Sequence, residues 1–207
     1  MNQIDHIIYT SSNLEKGIKE VEKVFGVSPV YGGQHPHWGT HNSLLSLGES
    51  TYLEIIAPNL SLPRPSIGRL FEKNYTSESK LSTWAVCSEN IEGLYNKATK
   101  NNLKLGAIEQ GNREKSDGTL ISWRLTNPYT MPLNGAVPFL IEWGKSVHPA
   151  CTAPKAGELL LLEIEHPDPD EVRKNLKLLE MEVEVIKSKH FNMVAKIETQ
   201  NGIITLK

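Results

Sequence analysis

One order of elements recurs along this chain: a short β-rich run, an amphipathic helix, then three more β-rich runs. In the first copy, Ile4, Ile7, Ile8 and Tyr9 make a β-rich run too short for a helix. Ser12 and Glu15 have capping-box spacing. Leu14, Ile18, Val21 and Phe25 then recur at i, i+4, i+7 and i+11, one apolar stripe of a helix, and Gly26 stands where that helix should stop. A short strand near 27–31 and the runs HNSLLSLG and TYLEIIAP complete a βαβββ unit. The second copy starts near Leu81, with LSTWAVCS, a helix opened by Asn90 and carrying Ile91, Leu94 and Ala98, then LKLGAIE, LISWRLT and PFLIEWG. Placing Asn13–Leu14 on Asn90–Ile91 sets the two first strands in register without a gap.

A third, shorter copy follows from Glu158. ELLLLEIE is a strand, and Asp168, Pro169 and Glu171 make a strong helix start. Val172, Leu176 and Leu179 form the stripe, and VEVIKS, MVAKIET and GIITLK supply three strands. The expected fold is therefore α+β: repeated βαβββ modules pair into a curved sheet around a cleft, with a smaller C-terminal βαβββ-like unit. The expected division is 1–150 for the paired part and 157–207 for the C-terminal unit, a scaffold or dimer surface. Within the paired part, module 1 spans about 1–60, a Pro-rich connection 61–80 and module 2 about 81–145.

Composition narrows the function. At 207 residues and a formal net charge of −2, the chain has a good core but no basic excess for tracking phosphates, so nucleic acid is not an expected partner. No apolar run approaches the roughly 20 residues that cross a bilayer, and the N-terminus lacks the pattern of a signal peptide. Cys87 and Cys151 are far apart with no CxxC, which reads as free thiols and a cytoplasmic protein. GxSxG, the phosphate loop and the dinucleotide fingerprint are all missing.

A helix covering one face of a sheet leaves the other free, and two such sheets form a trough. Period-2 alternation puts His6 on a face with Ile4 and Ile8, and Glu54 on a face with Tyr52 and Ile56, away from the helix. Glu142 lies mid-run in PFLIEWG, opposite Phe139, Ile141 and Trp143, and is expected in the equivalent place of the second copy. A carboxylate there is costly unless paired or bound to a cation. Two carboxylates and an imidazole in one trough suit a divalent metal such as Zn, Mn, Fe or Ni. The competing readings are a hydrogen-bonded core histidine, and structural ion pairs of the acids with Arg113 or Arg124. His35, His37 and His41 cluster in QHPHWGTHN, which Pro36 and Gly39 mark as a loop; Trp38 there can cover a ligand, and His41 can bind one. Arg113, in the expected loop QGNREKSDG, and Arg124, in the strand ISWRLT, can orient a substrate carboxylate or phosphate.

The segments DHIIYTSSNLEKGI, HPHWGTHNSLLSLGESTYLEIIAP and FLIEWG with the following His148–Pro149 resemble the glyoxalase-like domain proteins of the vicinal oxygen chelate superfamily, over roughly residues 4–150. The resemblance implies a metal held by a first-strand residue and a last-strand Glu of each unit. Carried over, these are His6 and Glu54, then Glu142, with the fourth position near Thr83, a poor ligand. His41, water or substrate would stand in for it. The resemblance further implies a metal-dependent lyase, isomerase or dioxygenase acting on a small oxygenated metabolite, with Glu142 as an alternative general base. Members without metal imply a binding or sequestering protein instead. A homodimer is expected from family habit and from the strand edges of the third unit.

Overall fold

The computed structural model describes residues 2–114 and 120–207. The first module comprises β1 (Gln3–Thr10), α1 (Leu14–Phe25), β2 (Val30–His35), β3 (Thr40–Ser46) and β4 (Tyr52–Pro58). The second comprises β5 (Lys80–Cys87), α2 (Ile91–Lys100), β6 (Ile108–Glu114), β7 (Leu120–Thr126) and β8 (Phe139–Glu142). The third comprises β9 (Glu158–His166), α3 (Pro169–Leu178), β10 (Glu184–Lys187), β11 (Asn192–Thr199) and β12 (Gly202–Leu206). No described helix is long and apolar enough to cross a membrane.

The helix starts follow local chemistry. Asn90 and Asp168 accept from the backbone N–H of Gly93 and Glu171, as their side chains invite. The first helix starts one residue later than the Ser12–Glu15 spacing suggests: Asn13 is the cap, accepting from Lys16 N–H at 3.1 Å. Gly26 closes α1 in the left-handed region at φ 69°.

Modules one and two form one eight-stranded sheet in the order β2-β3-β4-β1-β5-β8-β7-β6. The modules join through antiparallel β1 and β5, and in each the last strand lies parallel to the first. The sheet curls until its edges meet, where the Arg113 guanidinium on β6 donates to the Gly32 carbonyl on β2. Arg113 is thus on a strand rather than in the expected loop. The rest of that expected loop, 115–119, lies outside the described residues.

The C-terminal unit repeats the element order but not the pairing. Its sheet runs β10-β9-β11-β12, with the strand after the helix, β10, parallel to β9. It is a βαβ crossover with a hairpin added, not a third copy of the module. Its inner face shares the helix-side core of the modules: Leu162, Ile164, Met193 and Ala195 pack in one cluster with Ile7, Leu53, Trp84 and Val86. Each fully buried Leu or Ile there contributes about 1.5–3 kcal/mol. The opposite face of the eight-stranded sheet holds a second, aromatic-rich cluster containing Trp38, Trp123, Trp143, Phe71 and Phe139. The site lies against that cluster.

Candidate functional site

His6, on β1, and Glu54, on β4, meet inside the curl of the sheet, with His6 Nε2 3.5 Å from Glu54 Oε2. Both are buried. The space they line is narrow, about 40 Å³, room for a few waters where one needs roughly 10–15 Å³. Its walls are apolar: Ile8, Leu44, Tyr52, Ile56, Phe139 and Ile141 come from the sheet. Trp38, from the turn between β2 and β3, and Leu70 and Phe71, from the connection between modules, also line it. These two segments are tied by Leu70 N–H to the Trp38 carbonyl at 3.1 Å. Phe71 sits in the left-handed region at φ 57°, a conformation that costs a non-glycine residue about 1–2 kcal/mol.

Some polar groups of the site are anchored and others are not. Glu54 Oε1 accepts from Asn42 Nδ2 at 2.6 Å. His35 also lines the cavity, with Nδ1 3.0 Å from Thr40 Oγ1. Burial away from water pulls its imidazole down from 6.5 to about 4, keeping it neutral. The Trp38 indole N–H and Asn42 Oδ1 are buried with no hydrogen-bond partner among the described residues.

Behind His6 is a group that sequence reasoning missed. Asp5 is fully buried, and its carboxylate receives three side-chain contacts. His6 Nδ1 lies 2.6 Å from Oδ1; Trp143 Nε1 donates to Oδ2 at 2.7 Å and His148 Nε2 lies 3.1 Å from Oδ2. Burial would raise this carboxyl, but the bonds from His148 and His6 outweigh it and hold the group at about 2. Successive residues of a strand normally point to opposite faces. Here the pairing of β1 with β5 slips between Ile4 and His6, an irregularity at Asp5 that lets neighbours in sequence act together. The same slip sends Ile4 to the helix-side core while His6 faces the cavity, so the expected shared face of Ile4 and His6 is absent. A strand bulge leaves no mark in composition or period. The available signal was an Asp embedded in an apolar run.

The three expected ligands do not converge. Glu142 is on the other face of β8, where it meets the N-terminus of α2: its Oε1 accepts from Ile91 N–H at 3.4 Å. Its Oε2 accepts from Arg124 Nε and Nη2 at 2.8 and 2.6 Å, and Arg124 continues to Glu92. The structural ion pair is therefore the role the geometry gives both residues, and neither lines the cavity. Phe139, Ile141 and Trp143 face the cavity instead, because its walls are apolar and both faces of β8 are buried. The module register gives the true equivalents. Ile7 pairs with Trp84 between β1 and β5, so exchanging modules carries His6 to Thr83 and Ile8 to Ala85. Glu54 pairs with Ile8, and Phe139 with Ala85, so the counterpart of Glu54 is Phe139. Thr83 donates its hydroxyl to the Gly135 carbonyl at 3.1 Å.

Of the four positions that hold a metal in the resembling superfamily, this chain thus offers donors at two. Among the described residues no group of three or more His, Cys, Asp and Glu side chains is placed to hold an ion. The donor set does not fit a cation with three protein ligands. Of the remaining expected residues, Trp38 and Arg113 line the cavity. His41 points out of it, half-buried and 6.4 Å from the Tyr31 ring.

A family model described as "Glyoxalase-like domain" matches residues 4–179, reaching past the paired modules through α3. No curated protein matches the chain. Among solved structures, a hypothetical protein from Staphylococcus aureus is similar over 99% of this chain and 84% of that one, at 17% identity and a TM-score of 0.66, which is a likeness of fold. A methylmalonyl-CoA epimerase from Streptomyces coelicolor, in complex with 2-nitronate-propionyl-CoA, matches 71% of this chain and 98% of that one, at 14% identity and a TM-score of 0.49. The first of these likenesses spans the C-terminal unit as well as the modules. On the family match over most of its length, this chain belongs to the glyoxalase-like domain family.

Proposed function

We propose that this chain catalyses proton transfer on a small oxygenated metabolite, an isomerase- or lyase-type reaction, in the cavity between the two modules. The observation that carries the reading is the meeting of an imidazole and a carboxylate, 3.5 Å apart, inside an apolar enclosure. There a base is poorly solvated and its proton is exchanged with whatever fills the space. The pair removes a proton from a carbon beside a carbonyl; the electron pair moves to the carbonyl oxygen as an enolate, and the proton returns to the substrate. The Trp38 N–H, unpartnered among the described residues, and the Arg113 guanidinium line the same space and favour the oxygen that gains charge. A substrate larger than a few waters requires Trp38 and the Leu70–Phe71 segment to move aside.

The test is C–H exchange. The protein is incubated in heavy water with a panel of small ketones and 2-oxo acids, and loss of the proton signal is followed by NMR. Exchange with at least one compound, abolished in Glu54→Gln, is expected. Binding without exchange, seen as quenching of tryptophan fluorescence, replaces this reading with that of a sequestering protein. Stoichiometric bound metal that disappears in Glu54→Gln would restore the metal-dependent one.

A further inference from the structure

We propose that Asp5 is a positioning residue that fixes the His6 proton on Nδ1, leaving Nε2 to exchange a proton with Glu54; the consequence for exchange rests on the reading of His6 and Glu54 as the proton-transfer pair. Three side chains crowd one buried carboxylate, and two of them are fixed as donors. His148 Nδ1 accepts from Ala150 N–H at 3.2 Å, so its Nε2 carries the hydrogen and donates to Asp5 Oδ2. Trp143 Nε1 can only donate, and donates to the same oxygen. Oδ1 is left for His6, 2.6 Å away, and an ionised carboxylate only accepts. His6 must therefore donate from Nδ1. The hydrogen bond at one ring nitrogen decides what the other presents. A neutral His6 then shows a lone pair at Nε2, and across 3.5 Å an ionised Glu54 shows only lone pairs. Two acceptors in contact require one proton between them or a donor from the substrate. The site is built to hold a single mobile proton, and Asp5 sets on which side of the ring that proton is handled.

Asp5→Asn makes a sharp test. Two donors converge on Oδ2, so the amide oxygen takes that place and the amide NH₂ faces His6 Nδ1. The ring is then forced to carry its hydrogen on Nε2. Histidine-labelled protein is examined by long-range proton–nitrogen NMR. In the wild type the His6 Nδ1 resonance is expected in the protonated range whatever the state of Nε2. In Asp5→Asn it moves to the unprotonated range, and any C–H exchange falls roughly 100-fold or more, the scale of a general-base contribution. A wild-type spectrum with a bare Nδ1 overturns the proposal even if the variant fails to fold, and so does a folded Asp5→Asn with unchanged nitrogen shifts. A protonated wild-type Nδ1 with no C–H exchange from any compound leaves Asp5 its role and removes the proton-transfer reading alone.

Discussion

Acid should weaken this fold through His35, well above the range in which the buried Asp5 carboxylate takes up a proton. The imidazole is buried beside Thr40 and has its folded value drawn from 6.5 to about 4 by loss of water. The unfolded chain therefore binds a proton at His35 that the folded chain refuses. Its contribution is fully present above about pH 6.5 and is lost as pH falls towards 4. Linkage puts the loss between about pH 7.5 and about pH 4.5 at about 2.5 kcal/mol, a large part of a typical folding free energy. With a urea slope of roughly 2 kcal/mol per molar, the midpoint falls by about 1 M from this residue alone. His35→Gln removes the titration, and comparing the pH-induced change of variant and wild type cancels the other histidines. The variant should lose about 2.5 kcal/mol less than the wild type over that interval. Equal losses in the two proteins would show that His35 is not held neutral, and would refute the burial of its ring against the cavity wall.

Two further outcomes follow from particular contacts. Glu142→Gln should leave ligand binding and C–H exchange unchanged while lowering the melting temperature, because Glu142 serves Arg124 and the start of α2; loss of binding at an unchanged melting point would return it to the site. Gly17→Ala should destabilise by roughly 1–2 kcal/mol despite alanine's helix preference of about 1 kcal/mol, since its Cβ would lie 2.7 Å from Ile55 Cγ2 and 2.9 Å from Ser11 Cβ. Thermal unfolding checks the sign, and a more stable variant would mean that α1 can lift from β4.

Local chemistry made much of the architecture legible. Asn90 and Asp168 announced their helices because a short side-chain acceptor next to an apolar stripe has few other uses, and Leu53 and Ile55 against Glu54 showed which face of β4 meets a helix. Glu142 reads as a cavity residue because alternation gives two faces without saying which is which, and both faces of β8 are buried. Arg113 reads as a loop residue because QGNRE has no apolar alternation, yet its strand is held by pairing with β7 and by reaching Gly32 on the opposite edge. The C-terminal unit differs from its expected form only in which strands are neighbours, a long-range choice that short periodicities do not encode.

The slip at Asp5 has a twin. The pairing of β1 with β5 slips again at Ser82, the residue onto which exchanging the modules carries Asp5. With the same irregular backbone in both modules, the side chain alone makes the difference: a carboxylate behind His6 in one, and in the other a hydroxyl 2.6 Å from that of Thr10.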